Sequence, residues 1–345
     1  MSMARPGRGV ITAIAMLAGC LMLARPAAAH DFWPPAIERG RYLMGTLCSA
    51  TVELTDTSRA GPVLERALEA IARLEPVMSS WRTDSELARF HAAADSGFIC
   101  SPELFDALVA ARAWAESTRG AFDPTIEPVN RIWDMRGQGR VPDARERDAA
   151  RALVNWRALE LEPITRRARL SRAGMGVDLG GIGKGLALER ATETLRADSV
   201  TRAFINFGGQ IAAIGSWPAT IADPRHRLRP AFRVNVRNAS LSTSAQGESG
   251  ITVAGRRRGH ILDPRTAEPV EFSGSVSVLA NSAVVADALS TALLVMGRER
   301  AREFVAGRTD IGVLWIETAR GTLRAWKWNL SDVDAVPGVR VAWMH

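Results

Sequence analysis

Apolar and polar positions change their spacing along this chain in a way that predicts both strands and helices. Residues 47–54 alternate between apolar and polar side chains, which is typical of a half-buried strand. Apolar residues recur at helical spacing over residues 60–74, so we expect an amphipathic helix that ends at Pro76. A serine followed by proline is a favoured helix start and predicts a further helix over residues 101–118.

The second half of the chain continues this mixture. We expect strands over residues 203–209, 232–236, 251–254, 275–280 and 312–317, a return strand to about residue 328, and helices over residues 284–296 and 298–306. Residues 136–150 are polar and rich in Gly, Arg and Asp, which predicts a surface excursion. The elements do not alternate regularly enough for a doubly wound parallel sheet. We therefore predict an α+β fold with mixed, largely antiparallel sheets and flanking helices.

The first 29 residues have the pattern of an export signal. Two arginines precede an apolar run over residues 10–24, and three alanines ending at Ala29 offer a cleavage site. The run is too short for a comfortable membrane span. A bacterial lipobox ending at Cys20 competes, with the signal ending at residue 19, but the sequence after this cysteine stays apolar, which favours cleavage after Ala29. In both cases we expect an exported, periplasmic protein with a folded domain over residues 30–345. A lipid on Cys20 would place it at the inner membrane.

Two cysteines remain after the export signal, Cys48 and Cys100. Export would allow them to oxidise, but they lie far apart in the sequence and follow no disulfide framework. We therefore expect two buried free thiols.

The charge of the chain limits the classes of partner. The formal net charge is +7, with 23% charged and 47% hydrophobic residues, a composition ordinary for a globular protein. The arginines are scattered, and few aromatic residues lie among them. This pattern predicts a weak attraction for anionic ligands or a membrane surface and argues against nucleic-acid binding.

A glycine-rich stretch over residues 176–185 is the strongest candidate for chemistry. It combines five glycines with Asp178 and Lys184 and precedes a predicted helix over residues 186–196. Lys184 is one of only two lysines in a chain with 42 arginines. Glycines let backbone N–H groups approach a ligand, and a helix start attracts anions, so we predict a phosphate site. The alternative is a glycine-rich turn with a solvated lysine, and the spacing is not that of a P-loop.

A second candidate lies in the apolar helix over residues 284–296. Asp287 and Thr291 are four residues apart, so both side chains project from one helix face. A lone carboxylate in an apolar helix needs a partner, and Mg²⁺ would satisfy it together with the threonine oxygen. A capping or salt-bridge role is the alternative. His260 taken alone is more typical of a structural histidine than of a catalytic base.

Seven segments spread over nearly all of residues 41–318 together carry a family resemblance. The segments are Met44-Gly45-Thr46, Asp84-Ser85-Glu86-Leu87, Gly120-Ala121-Phe122-Asp123-Pro124-Thr125, Asp178-Leu179-Gly180-Gly181-Ile182-Gly183-Lys184-Gly185, Asn206-Phe207-Gly208-Gly209, His260-Ile261-Leu262-Asp263-Pro264-Arg265-Thr266 and Ala286-Asp287-Ala288-Leu289-Ser290-Thr291. In sequence and in order they resemble the ApbE family, the FAD:protein FMN transferases. The resemblance implies a two-lobed, T-fold-like architecture with FAD at the junction of the lobes.

The resemblance also implies an activity and a set of site residues. FAD would bind with Mg²⁺, FMN would pass to a threonine hydroxyl in the flavinylation motif of an exported or membrane flavoprotein, and AMP would leave. The FAD site would be lined by Met44, Trp81, Ala121, Phe122, Asp123, Asp178, Lys184 and Ile261. The metal would bind the Gly181 carbonyl, Asp287 and Thr291. Asp287 would thereby take part in catalysis, and His260 is the candidate base, with Asp287 or Asp178 as alternatives.

Two other functions would use the same residues. A Mg²⁺-dependent FAD pyrophosphatase would replace the threonine with water, and a flavin-binding or storage protein would not turn FAD over. Retention of Lys184, Asp287 and Thr291 argues against the storage protein. The sequence departs from the usual family residues at three places. Trp81 stands where the family has a tyrosine, Gln210 where it has an aspartate, and Ser244-Ala245-Gln246-Gly247 where it has a Ser-Gly-Asp segment.

Overall fold

The computed structural model describes residues 35–93, 96–247, 250–253 and 255–344. The predicted export signal and Cys20 lie outside the described residues, so the boundary at residue 30 stays a prediction. Within the described ranges, none of the helices has the length and apolarity needed to cross a membrane.

The secondary structure of the described part contains nine α-helices and nineteen strands. The helices are α1 (Ala60–Ala72), α2 (Glu75–Met78), α3 (Glu86–Ala93), α4 (Pro102–Ser117), α5 (Glu127–Trp133), α6 (Ala144–Ala152), α7 (Gly183–Ala197), α8 (Ala283–Met296) and α9 (Arg298–Val305). The strands are β1 (Ala36–Leu43), β2 (Thr46–Glu53), β3 (Phe98–Ile99), β4 (Leu159–Glu162), β5 (Arg167–Leu170), β6 (Ala203–Phe207), β7 (Gln210–Ile214), β8 (Ser216–Asp223), β9 (His226–Arg237), β10 (Ser240–Ser244), β11 (Gly250–Val253), β12 (Arg256–Gly259), β13 (Leu262–Asp263), β14 (Glu268–Pro269), β15 (Gly274–Ala280), β16 (Ile311–Ala319), β17 (Thr322–Trp328), β18 (Val333–Ala335) and β19 (Val341–Trp343).

A nine-stranded sheet organises these elements. Its order is β1-β2-β6-β7-β10-β15-β16-β17-β19. Its neighbouring strands pair antiparallel, except that β17 and β19 pair parallel. Antiparallel sheets β18-β9-β8 and β3-β5-β4 and the hairpins β11–β12 and β13–β14 complete the described strands. The predicted α+β class with largely antiparallel sheets is confirmed.

Both faces of the nine-stranded sheet are covered. Helices α1, α7 and α8 pack on one face, and sheet β18-β9-β8 packs on the other. In β6, Ile205 and Phe207 enter the core on the helix side, whereas Phe204 lies in the core on the opposite side. There its ring centroid is 5.7 Å from that of Trp217. Burial on both faces explains the continuous apolar run of this strand.

Several predicted boundaries need correction. Helix α1 ends at Ala72, and Pro76 does not terminate it but lies in the first turn of α2, where proline needs no N–H partner. Helix α7 begins at Gly183 rather than residue 186. The predicted surface excursion of residues 136–150 contains α6, which starts with a capping box between Asp143 and Glu146.

The cysteine prediction is confirmed. Cys48 and Cys100 are both free and buried. Burial raises the pKa of each thiol to about 12, because a thiolate would lose its hydration in the core.

Candidate active site

The glycine-rich stretch and the Asp287 helix meet where α7 and α8 begin. A Cβ atom placed on Gly185 would lie 2.5 Å from the carbonyl oxygen of Ala283 and 2.8 Å from the Cα of Val284. Only glycine allows the two helix starts to approach this closely. The two segments that sequence analysis selected separately therefore form one site.

Asp287 is the buried carboxylate of this site. Its side chain is 3% exposed, and its Oδ2 accepts a hydrogen bond from the Gly185 N–H at 2.9 Å. The Ser242 hydroxyl donates to Oδ1 across a long 3.5 Å contact. Burial raises the pKa of the Asp287 carboxyl, while the positive charge of Lys184 and the Gly185 N–H act in the opposite direction. The carboxylate thus needs nearby positive charge, and Lys184 supplies part of it.

Four hydroxyl groups form a network beside Asp287, and among them Ser242 contacts its carboxylate. Ser244 on β10 contacts the Ser290 hydroxyl at 2.9 Å and the Thr291 hydroxyl at 3.3 Å. Ser242, also on β10, lies 3.3 Å from the Ser290 hydroxyl. Ser290 donates in turn to the Asp287 carbonyl at 2.9 Å. Because residues two apart on a strand share a face, Ser242 and Ser244 form a polar surface against α8.

The residues predicted to hold Mg²⁺ lie together. A Cβ atom built on Gly181 would be 3.5 Å from Thr291 Oγ1, and Thr291 is one helical turn beyond Asp287. Carboxylate, hydroxyl and carbonyl oxygens are the donors that Mg²⁺ prefers. Among the described residues no group of three or more His, Cys, Asp or Glu side chains could hold a metal ion. One carboxylate with a hydroxyl and a carbonyl oxygen suits Mg²⁺ only together with further oxygen ligands from water or a bound molecule.

Met44 and Phe122 border the glycine-rich stretch. A Cβ atom on Gly183 would lie 3.8 Å from Met44 Cε, and one on Gly181 would lie 3.0 Å from Phe122 Cε2. Met44 adopts a left-handed backbone conformation with φ of 46°, and its N–H donates to Glu75 Oε2 at 3.0 Å. The structure therefore brings these two predicted flavin-site residues against the loop that contains Lys184.

Asp123 uses its carboxylate to order a turn. Oδ1 accepts hydrogen bonds from the Thr125 N–H at 2.8 Å and the Thr125 hydroxyl at 2.6 Å, and Oδ2 accepts from the Trp156 N–H at 3.2 Å. Burial raises the pKa of the Asp123 carboxyl, and this effect outweighs the hydrogen bonds, which lower the pKa. The preceding Ala121 and Phe122 are buried as well. The carboxylate thus fixes the conformation of the loop beside Phe122.

Asp178 is engaged on both carboxylate oxygens. Oδ1 accepts from the Gly180 N–H at 2.7 Å, and Oδ2 pairs with the Arg136 guanidinium. Arg136 also forms a bidentate pair with Glu127, at 2.8 and 2.6 Å. Burial lowers the pKa of Arg136, but the two carboxylates outweigh it and raise the pKa overall. Asp178 therefore shapes the glycine-rich stretch, and these contacts make it a poor candidate for a base.

His260 and Ile261 follow β12 directly. His260 is half-buried, and Ile261 is buried in the main core. The Gln246 side chain binds Ile261 at both backbone groups, because Oε1 accepts from its N–H at 3.0 Å and Nε2 donates to its carbonyl at 2.7 Å. Nε2 also donates to the Val270 carbonyl at 2.7 Å. Gln246 thereby fixes the loop that contains the predicted base.

Comparison with known proteins identifies the family. The model of the ApbE family matches residues 44–315. This chain belongs to the ApbE family. The FAD:protein FMN transferase of Treponema pallidum is 31% identical over 294 residues, covering 77% of this chain and 81% of the relative. The FAD:protein FMN transferase of Escherichia coli is 25% identical over 331 residues, covering 92% and 93%.

Solved structures of the ApbE family have the same fold. The ApbE protein of Thermotoga maritima matches with a TM-score of 0.76 at 28% identity, covering 81% of this chain and 94% of that chain. The apo form of the flavinyl transferase ApbE of Pseudomonas stutzeri matches with a TM-score of 0.73 at 26% identity, covering 89% and 96%. The predicted family and fold class are confirmed.

Gln210 and Gln246, where the resemblance implies acidic residues, each have a structural role. Gln246 donates and accepts around Ile261, and a carboxylate could not donate. Gln210 donates from Nε2 to the Ala283 carbonyl at 2.9 Å, beside Gly185. Its Oε1 is buried without a hydrogen-bond partner in the described part of the chain. The third replacement, Trp81, is 69% exposed, so its ring is open to contact with a ligand or a partner.

Sequence analysis missed three side chains that support the site. His91 Nε2 accepts from the Val177 N–H at 2.9 Å, and burial lowers its pKa, which favours the neutral ring. Glu189 on α7 accepts from the Ser282 hydroxyl and from the Val284 N–H at the start of α8. Arg136 bridges Glu127 and Asp178. The contacts of His91, of Glu189 and of Arg136 with Asp178 join residues at least 42 positions apart, so local sequence patterns do not reveal them.

Proposed function

We propose that this protein is an FAD:protein FMN transferase that uses Mg²⁺, transfers FMN to a threonine hydroxyl of an acceptor flavoprotein and releases AMP. The names of the relatives support the overall activity. The observation that carries the proposal is the buried Asp287 carboxylate, which accepts from Gly185 N–H and lies in the field of Lys184. A lysine, a helix start and a carboxylate suited to Mg²⁺ are what a diphosphate requires.

Each part of FAD would contact a different group of residues. Lys184 would bind the diphosphate, whereas the N–H groups of Gly183 and Gly185 at the start of α7 already donate to the Leu179 carbonyl and to Asp287. Met44, Ala121, Phe122 and Ile261 would line the flavin pocket, and the exposed Trp81 would stack at its rim. Asp123 and Asp178 would act through the loops whose conformation they fix.

The Gly181 carbonyl, Asp287 and Thr291 would hold Mg²⁺. When bound there, Mg²⁺ would act as a Lewis acid and neutralise charge on the diphosphate. Lys184 would hold the phosphates in line with the acceptor hydroxyl.

Transfer requires one new bond and one broken bond. The threonine oxygen would form a P–O bond to the FMN phosphorus, and the P–O bond to the AMP phosphate would break. The threonine proton would pass to a base, for which His260 is our candidate. Asp178 is less suited because both of its oxygens are engaged, and Asp287 is assigned to the metal.

Incubation with FAD and Mg²⁺ tests the function. The protein lacking residues 1–29 would be tested with and without a peptide that carries Asp-x-x-(Ser/Thr)-Gly-Ala-Thr, following AMP release and covalent flavin fluorescence on a denaturing gel. We expect AMP together with a fluorescent acceptor. AMP and free FMN regardless of acceptor would instead establish the pyrophosphatase. Bound FAD without AMP in either sample would leave flavin storage.

His260→Ala tests the base. We expect transfer to fall about 100-fold or more at neutral pH, while FAD affinity stays within about twofold, because the imidazole acts on the acceptor proton. A full transfer rate in this variant would exclude His260 as the base.

We also propose that the protein is exported to the periplasm. The export pattern of residues 1–29 supports this location, and a lipid on Cys20 would add association with the inner membrane. Mass spectrometry of the mature N-terminus separates the two, since cleavage after Ala29 leaves no lipid-modified cysteine.

A further inference from the structure

An arginine-rich cavity of about 300 Å³ lies on the surface next to β12. None of the predicted FAD or metal residues lines it. Its lining consists of Pro224, Gln246, Gly247, Arg256, Arg257, Arg258, Gly259, Pro269, Val270, Glu271, Phe272, Ser273 and Gly274. The cavity is therefore a separate site, at the lower end of the volumes typical of ligand pockets.

Positive charge dominates the cavity. Three consecutive arginines line it against one carboxylate, Glu271, whose side chain is 83% exposed and whose Oε1 lies 3.7 Å from Arg258 Nη1. Exposure weakens such a pair. Arg258 Nε is buried and lacks a hydrogen-bond partner in the part of the chain described here. A buried donor of this kind favours an acceptor from a ligand, and the excess of arginine favours an anion.

The cavity is connected to the proposed active site through Gln246. Gln246 lines the cavity and also holds Ile261, the residue after His260. Two residues earlier, Ser244 contacts the Thr291 hydroxyl at 3.3 Å. Since two residues span at most about 7 Å, the Cα atom of Gln246 lies within that distance of the Cα atom of Ser244. Gly259, which also lines the cavity, directly precedes His260, so a ligand in the cavity would lie next to the loop that contains the candidate base.

We propose that this cavity binds an acidic side chain of the acceptor protein, a few residues from the hydroxyl that receives FMN. The inference rests on the transferase function proposed above. The diphosphate of FAD already has its cationic partner in Lys184, so the arginines are available to the second substrate. An extended polypeptide spans about 3.5 Å per residue, so an acidic residue two to six positions from the threonine could reach the cavity.

Charge reversal at the cavity mouth tests the proposal. Arg256→Glu and the double variant Arg256→Glu/Arg257→Glu would be compared with Arg233→Glu/Arg237→Glu, which makes the same charge change on the exposed face of β9. The single variant keeps the bond that Arg257 donates to the Gly247 carbonyl at 2.9 Å. We expect the double variant to raise KM for the Asp-x-x-(Ser/Thr)-Gly-Ala-Thr peptide about tenfold, with a smaller rise in the single variant. FAD affinity should stay unchanged in all variants.

A peptide with asparagine in place of the motif aspartate identifies the charge that is bound. It should bind the wild-type protein more weakly than the acidic peptide does. Charge reversal should weaken its binding much less than that of the acidic peptide, because neutral asparagine is neither attracted by the arginines nor repelled by the glutamates. Fluorescence anisotropy of the labelled peptides measures binding directly, so this arm gives a result even if the protein transfers no FMN. The proposal would be overturned if the β9 control variant lost as much peptide affinity as the cavity variants, or if the wild-type protein bound the two peptides equally well. It would also be overturned if inorganic phosphate or AMP displaced the peptide with equal strength in all variants.

Discussion

Asp287 shows how the surroundings of a single residue determine its chemistry. The carboxylate is buried, yet it keeps an N–H donor from Gly185, hydroxyl neighbours and the charge of Lys184. Burial alone would favour the protonated acid, whereas a bound cation would favour the carboxylate. The composition of the site thus makes ionisation of Asp287 depend on what binds there.

Replacement of Asp287 tests this dependence. Asp287→Asn retains an oxygen for the Gly185 N–H but removes the negative charge. We expect AMP release to fall about 100-fold or more, with part of the loss recovered at high Mg²⁺. Loss of a partner that only orients a metal ligand already costs roughly 10- to 100-fold in metal affinity, and loss of a direct ligand should cost at least as much. Asp310→Asn, at a surface pair with Arg308, is the matched control and should keep full activity. A fully active Asp287→Asn protein with unchanged Mg²⁺ dependence would contradict the assigned role.

In this part of the structure, replacement of Arg136 should lower the free energy of unfolding most. It pairs with Glu127 and Asp178, whose side chains are only 8% and 16% exposed. Arg136→Ala should destabilise the protein by roughly 3 kcal/mol, because two carboxylates would stay partly buried without a cation. Arg140→Ala breaks an exposed pair with Glu146 nearby and should shift urea unfolding little. Similar unfolding midpoints for the two variants would show that the Arg136 cluster contributes no special stability.

At the scale of elements, the site depends on how closely α7 and α8 approach each other. Gly185 allows the contact, Glu189 caps the start of α8, and Gln210 binds the Ala283 carbonyl. The boundary of α7 was predicted three residues late because glycines normally argue against a helix start of this kind. Tertiary contact with α8 overrides that weak local preference.

A paired glycine replacement tests the close approach. Gly185→Ala should destabilise the protein by about 1–3 kcal/mol and reduce AMP release, since its Cβ would force the helix starts apart. Gly61→Ala in α1 has nothing within 4 Å of the new Cβ and should leave stability unchanged or raise it by up to about 1 kcal/mol. Thermal unfolding and AMP release measure both effects. A Gly185→Ala protein as stable and active as Gly61→Ala would show that the helix starts tolerate separation.

At the scale of the whole molecule, the two buried thiols make stability sensitive to alkaline pH. Burial raises the pKa of Cys48 and Cys100 from 9.0 to about 12. The contribution of these two thiols to the free energy of unfolding is fully present below pH 9. It is lost as the pH rises towards 12, because the thiols of the unfolded chain lose their protons at a lower pH than those of the folded protein.

The pH dependence of urea unfolding measures this contribution. Between pH 9 and 11 we expect the unfolding free energy of the wild-type protein to fall more steeply than that of Cys48→Ala/Cys100→Ala. The comparison concerns slopes, so the constant cost of the cavities left by alanine does not enter. Parallel slopes would show that the thiols titrate alike in the folded and unfolded states.

The sequence by itself determined the α+β class and most of the longer elements, and it selected the candidate site residues. Apolar residues at every second position or at helical spacing show which faces of strands and helices are buried. The rare lysine Lys184 and the Asp287–Thr291 pair indicate chemistry through residue type and local spacing. Only the tertiary structure decided the strand order of the sheet, the contact of Gly185 with Asp287 across 102 residues, the Arg136–Asp178 pair across 42 residues and the arginine-rich cavity. The physical reason is that local patterns encode burial and backbone preference, whereas partners distant in sequence are chosen by the packing of the whole chain.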